Sequence, residues 1–283
     1  MRLFFYSIVL MIVLFACNLE QEIELDLPAY EEKVIVEAYL KAGENYQLLL
    51  SRSSSFFSPF PTNIQETVEQ LLLNGAEVVI THQGNQIVLD NVPVIDPESG
   101  KIFNYSSNQT IPFDTINPFE LSITLDDGSI ISSTTQFLPV IPIDSIVYEF
   151  SGVTRGEDSA RVLTYFNDPR GQENFYRRTI YKYKAGELEE QQDFTSDDRI
   201  VEDVVVFGTG YNFKFGDTVL NRIYHINEDY YLFLNSLQFA VDANGNPFGQ
   251  PSPIISGVQS SDKPVIGIFT TLSFSEEVTI IER

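Results

Sequence analysis

Only two residues of this 283-residue chain carry an imidazole, His82 and His225, and a metal site or proton-transfer site would draw on them first. They end separate strand-like stretches, "AEVVITH" (76–82) and "TVLNRIYHI" (218–226), and each reads as a strand-end residue rather than a ligand or a base. Carboxylate pairs could serve glycoside hydrolysis, and Asp126-Asp127, Glu189-Glu190 and Asp197-Asp198 are adjacent in sequence. A glycosidase sets its two acids in space, however, so among 40 acidic residues adjacency carries little. These pairs read as solvated acids of turns and polar loops. "DANGNP" (242–247) alternates Asp242, Asn244 and Asn246 like the start of a calcium loop, but Pro247 and Pro253 stand where an EF-hand needs Gly and Glu. "GTGYNF" (208–213) has Phe213 in place of the third glycine of a dinucleotide loop, and no G-x-S-x-G, H-E-x-x-H or P-loop pattern occurs. The sequence thus points to no catalytic residue, no metal ligand and no cofactor.

One side chain does point to chemistry. Cys17, the sole cysteine, follows Arg2, an apolar run from Leu3 to Phe15 broken only by Ser7, and the tripeptide Leu14-Phe15-Ala16. The run is too short for a comfortable bilayer span of roughly 20 residues and fits a secretory signal. Leu at −3, a small residue at −1 and cysteine at +1 resemble the bacterial lipobox, which implies diacylglycerol on the Cys17 sulfur and cleavage before it. Residues 1–16 are then expected to be a lipoprotein signal peptide and residues 17–32 an anchor and linker; the alternative is an uncleaved anchor with an incidental cysteine. Acyl chains contribute about 0.8 kcal/mol per buried CH₂, so several of them tether a protein without a spanning helix. No other thiol remains for a disulfide, and the body must hold by packing alone. Acids in Asn18-Leu19-Glu20-Gln21-Glu22 resemble the surface-export signals of Bacteroidota lipoproteins, so the expected location is the outer membrane, lipid-anchored and facing the cell surface.

The elements that follow are mostly strands. "KVIVEAYL" (33–40) and "YQLLLSRS" (46–53) flank the turn "KAGEN", "QIVLDN" (86–91) answers 76–82 across "QGN", and Asp126-Asp127-Gly128 joins "FELSITL" (119–125) to "SIISSTTQF" (129–137). With "KIFNYS" (101–106), these strands predict an antiparallel sandwich of immunoglobulin-like or transthyretin-like type over 33–138. The proline-bearing "FLPVIPIDSI" (137–146) reads as a joint between domains. Beyond it, 143–283 is expected to be a second β-rich domain with strands at 145–152, 160–168, 174–186, 200–208, 218–226, 264–274 and 277–282. Asn227 followed by Glu228 and Asp229 predicts a helix start, and Tyr230, Phe233, Leu234, Leu237 and Val241 recur at helical spacing, giving a helix over 227–241. The fold class is mainly β, with one packed helix.

One excursion, 53–75, interrupts this pattern. Ile64, Val68, Leu71 and Leu72 predict a short amphipathic helix ended by Asn74-Gly75. Before it, Phe56, Phe57 and Phe60 lie in a Ser/Pro-rich stretch where burial is hard to arrange, which makes them candidate partner-binding residues. The alternative is that the three rings fold back onto the sandwich.

A net charge of −23 argues against nucleic acid, whose phosphates need clustered Lys and Arg. The order of the lipobox, "EIELDLPAYEEKVIVEAYL" (22–40), "YQLLLSRSS" (46–54), "NGAEVVI" (74–80), "NDPRGQENFYR" (167–177), "NEDYYLFLNSLQF" (227–239) and "GNPFGQPSPIISGV" (245–258) resembles a family of Bacteroidota outer-membrane lipoproteins of unknown function encoded near TonB-dependent receptors. That resemblance implies a non-enzymatic accessory subunit or lid of an outer-membrane β-barrel, and it supplies no catalytic residues. A surface module that binds glycan or peptide is the alternative, followed by a hydrolase. The partners expected are the membrane, through the anchor, and a barrel protein.

Overall fold

The computed structural model describes residues 31–54, 63, 66, 70–97, 100–151, 159–184, 186–198, 203–243 and 252–283. Cys17, Phe56, Phe57, Phe60, Ile64, Val68, Asn244 and Asn246 lie outside the described residues. In chain order the strands are β1 (Val34–Lys41), β2 (Asn45–Arg52), β3 (Glu77–His82), β4 (Asn85–Leu89), β5 (Val94–Ile95) and β6 (Ile102–Phe103). Next come β7 (Tyr105–Thr110), β8 (Phe119–Thr124), β9 (Ile130–Thr135), β10 (Ser145–Phe150), β11 (Ser159–Asn167) and β12 (Phe175–Lys184). The last are β13 (Glu187–Asp197), β14 (Val204–Gly208), β15 (Phe213–Lys214), β16 (Thr218–Ile226), β17 (Gln259–Ser260) and β18 (Val265–Ile280); the helix α1 (Glu228–Ala243) precedes β17.

The protein is mainly β, as the sequence predicts, but its two halves share one sheet. Seven strands run in the order β13-β12-β16-β18-β1-β2-β7. At its centre β1 pairs in parallel with β18, Val34 opposite Val265 through Lys41 opposite Leu272. Along β1 the period-2 alternation sends Val36, Ala38 and Leu40 into a core with Leu48 and Leu50 of β2. A five-stranded sheet, β17-β9-β8-β3-β4, closes that core with Val78, Ile80, Phe119, Leu121 and Ile123. Over the other half of the same face lies the sheet β10-β11-β14, whose Phe166, Val205 and Phe207 pack on Tyr176 and Ile223. α1 covers part of the opposite face, where Tyr230 and Phe233 meet Tyr224, Ile268 and Leu272. At its start the Asn227 carbonyl accepts from the Tyr230 and Tyr231 amides, while its side-chain amide donates to Gln136 O and Thr271 Oγ1.

Three expectations change. First, 33–138 and 143–283 do not separate: Glu32–Arg283 forms one compact unit. Prolines in the expected joint remove amide donors but leave carbonyls. Hydroxyls at alternate positions of β18 take those carbonyls up: Thr271 Oγ1 donates to Gln136 O at 2.7 Å, Ser273 Oγ to Leu138 O at 2.6 Å and Ser275 Oγ to Ile141 O at 2.7 Å. The joint is fastened across the shared sheet. Second, Glu189, Glu190 and Asp197 belong to an eleven-residue strand, β13, not to a loop. It is an outer strand with one neighbour, and its exposed positions tolerate acids, which also guard such an edge against pairing with another chain. Third, 264–274 and 277–282 are one strand rather than two.

Candidate functional site

Among the described residues, a cleft of about 300 Å³ opens at one end of the N-terminal sandwich. Val34 opens β1 there, and Arg52 closes β2 directly opposite it. The chain then leaves on the 53–75 excursion and comes back at the same place. Ser51 forms a bridge with Leu72, and the Leu73 amide donates to Leu50 O at 3.0 Å. Among the described residues of the excursion, Glu66, Gln70 and Leu71 are helical, in keeping with the expected short helix. Asn104, fully buried, pins the return: its Oδ1 accepts from Leu50 N at 2.8 Å, and its Nδ2 donates to Leu50 O, Leu73 O and Asn74 Oδ1 at 2.9–3.1 Å.

Val34, Leu72, Leu73, Ala76 and Leu125 give the cleft its apolar lining, and Glu32, Arg52, Asp126, Asp127 and Lys263 give it charge. Arg52 Nη1 lies 3.3 Å from Glu32 Oε1, while its buried Nε has no hydrogen-bond acceptor among the described residues. Lys263 pairs with Asp127, whose carboxyl is pulled down to about 2, first by that lysine and then by Ser129. Asp126, the other acid of this turn, packs over the backbone of Gly75. A Cβ added to Gly75 would stand 2.4 Å from Asp126 Oδ2, so only glycine leaves room for the carboxylate in its present place. Asp126-Asp127 is therefore a turn pair as the sequence predicts, and the two acids differ in partners. Arg52, Gly75 and Lys263 are missed by sequence reasoning, because they reach one cleft from three distant segments. The one local signal is Arg52, a charge that closes a strand just before the Ser/Phe-rich stretch.

The histidines do not come together. His82 is the last residue of β3, 7 % exposed, with its ring stacked on Phe119 at 3.9 Å. Its Nδ1 lies 3.1 Å from Pro118 O, and its Nε2 is 3.3 Å from Asp114 Oδ2, close enough for an ion pair but outside hydrogen-bond geometry. Asp114 is taken up by the side chain and amide of Asn117, the Ile116 amide and Gln83, which hold its carboxyl well below the usual carboxylate range. That group is a closed loop clasp.

His225 on β16 is 3 % exposed, with Nδ1 2.9 Å from Pro139 O and Nε2 3.1 Å from Asn174 Oδ1. Burial pushes its pKa down, against the pull of the Pro139 carbonyl and of Asp168 and Asp198. A neutral ring has one proton for these two acceptors. Asn174 Nδ2 lies 3.2 Å from both Asp168 Oδ1 and Asp198 Oδ2, so an amide fills the space between the carboxylates. Tyr176 donates to Asp168 as well, and burial followed by that carboxylate drives its phenol pKa far up. The group ties "NDPRGQENFYR" to the sheet, and its acids point at Asn174 and Tyr176. No cluster of three or more metal-ligating side chains occurs among the described residues. Asp242 sits in the last turn of α1 and shares a hydrogen bond with Gln238 at 2.8 Å.

Residues 20–277 match the model of a family described as "Domain of unknown function (DUF4249)". No curated protein matches the chain. Among solved structures, a DUF4785 family protein from Legionella pneumophila aligns at 13 % identity over 67 % of this chain and 52 % of its own, with a TM-score of 0.25. This chain therefore spans about half the length of that protein. A cytokine receptor complex aligns at 8 % identity over 69 % of this chain and 86 % of its own, with a TM-score of 0.24. TM-scores of this size do not establish a shared fold.

Proposed function

The chain belongs to that family of unknown function, and we propose that it is a lipid-anchored, non-enzymatic accessory subunit or lid of an outer-membrane β-barrel in a Bacteroidota-type envelope, serving TonB-dependent import or assembly. One observation carries this reading: Glu32, Arg52 and Leu72 line a single cleft. The stretch bearing Cys17 enters the body at the first of these residues. The stretch bearing Phe56, Phe57 and Phe60 leaves from the second and rejoins at the third. Cys17 lies fifteen positions before Glu32, a covalent reach of at most about 50 Å. Anchor and aromatic segment are thus attached to the same end of the sandwich. Three phenylalanines there supply apolar contact in a chain whose net charge of −23 repels acidic surfaces.

Two variants test the reading in cells that make the full chain. Cys17→Ser removes the only thiol that accepts a diacylglyceryl group, so lipid labelling should be lost and an unprocessed precursor should accumulate. The triple change of Phe56, Phe57 and Phe60 to serine should leave the melting temperature nearly unchanged while the barrel no longer co-purifies. A triple variant that unfolds, or that co-purifies as before, assigns those rings to the core or to no role. A second reading, a surface module for glycan or peptide, is favoured by the cleft itself, with its apolar lining and unequal charges.

A further inference from the structure

The cleft holds five charged side chains, and pairing them leaves one over. Glu32 meets Arg52, and Asp127 meets Lys263. Asp126 makes no hydrogen bond or ion pair with any described residue, and its position over Gly75 depends on the missing Cβ there. One donor is also left over, the buried Nε–H of Arg52. A carboxylate without a cation and a guanidinium N–H without an acceptor therefore line one apolar cleft. Asp126 is exposed and solvated, whereas the Arg52 Nε–H is buried, and a buried donor without a partner is costly.

We propose that this cleft captures the free amino terminus of a peptide whose first residue is apolar. The α-ammonium is the cation that Asp126 lacks, and the first carbonyl oxygen is the acceptor that Arg52 Nε lacks. The first side chain lies against Val34, Leu72 and Leu125. Charge decides the ligand class: three acids against two cations leave the cleft one negative charge in excess, which an amino terminus balances and a free carboxylate would worsen. A neutral sugar would leave Asp126 uncompensated. A volume near 300 Å³ sits at the lower end of ligand sites and suits one or two residues. The inference deepens and rests on the peptide-binding reading, and it is independent of docking to a barrel.

Calorimetric titration of the purified full chain tests it with two probes, Leu-Leu-amide and N-acetyl-Leu-Leu-amide. Both lack a free carboxylate, and they differ only in the amino terminus. Saturable binding of the first and about tenfold weaker binding of the second is the expected result, the loss that follows from one charged hydrogen bond. Asp126→Asn should bring the two affinities together while a melting curve confirms the fold. Gly75→Ala, which displaces the carboxylate without removing it, serves as a second variant. Equal affinity for both probes, or an Asp126→Asn protein that still discriminates, overturns amine capture and leaves peptide binding standing. No saturable heat from either probe overturns both.

Discussion

Gly267 of β18 lies opposite Val36 of β1, and a Cβ added to it would stand 1.9 Å from the Val36 carbonyl oxygen. Its φ of 153° is one that L side chains rarely adopt. The neighbour is backbone inside the central parallel pair, which has no flexible end to swing aside. Gly267→Ala should therefore destabilise by more than about 3 kcal/mol or abolish folding, as forced overpacking and backbone strain combine. Urea denaturation measures it, and a loss below about 1 kcal/mol would mean that the two strands separate easily.

Asn104 should matter more than its neighbours in "KIFNYS". Its amide serves both backbone groups of Leu50 and the Leu73 carbonyl, so Asn104→Ala strands polar groups in a dry interior. The expected cost is about 3 kcal/mol. Amide hydrogen exchange at Leu73 should rise with it, because Leu73 donates to the strand that Asn104 clasps. Unchanged protection there would dissociate the clasp from the cleft wall.

Arg178 is fully buried and meets only neutral groups: Asn221 Oδ1 at 3.0 Å, Gln192 Oε1 at 2.8 Å and Thr164 Oγ1 at 3.1 Å. Burial lowers its pKa to about 10, and the charge is held by dipoles. Arg178→Met should cost about 2–4 kcal/mol by stranding three acceptors. Adding Thr164→Val and Asn221→Leu should recover most of that, since a well-packed apolar replacement of a buried charge is often neutral or better. A triple variant less stable than the single one contradicts this account.

Acid should unfold the protein in two stages. His225 is held neutral by burial, so from its ordinary value of 6.5 downward the unfolded chain takes up a proton that the native ring resists, and stability falls. Asp127 works from the other side: its carboxyl sits at about 2 against an ordinary 3.8, so its contribution is present above 3.8 and is lost as pH falls toward 2. Denaturant midpoints across this range should show both stages, and His225→Gln should flatten the first. Identical slopes for the two proteins between pH 6.5 and about 5 would mean that the native ring takes up its proton as readily as the unfolded one.

The parts of the fold that were legible in the sequence are the local ones. The turn at Gln83-Gly84, with φ of 50° and 77°, and the Asp126-Asp127-Gly128 turn each declare themselves within a few residues. So do the strands they join and the helix begun by Glu228 and Asp229. Illegible were the pairings between distant segments. Nothing local in "VIVEAYL" says that its neighbour is "VIGIFTT", and without that pair two domains are the natural reading. β13 was hidden for a different reason: with most side chains in solvent, Glu187 to Gln191 lack the apolar alternation that betrays a half-buried strand. The cleft fared likewise. Asp126 was visible as a turn acid, but its lack of a partner depends on Lys263 choosing Asp127 and on Glu32 choosing Arg52.

The parallel pair also dictates a timetable. A chain delivered amino end first, from a ribosome or through a membrane pore, presents β1 first and β18 last among the described strands. Until Val265–Leu272 arrives, Val34–Lys41 can pair with β2 but has no partner on its other edge. The largest sheet therefore cannot close during delivery. Its completion carries the entropic cost of closing a loop nearly as long as the body, a non-local pairing of the kind that slows folding. Loss of the last strand would be felt at the opposite terminus first.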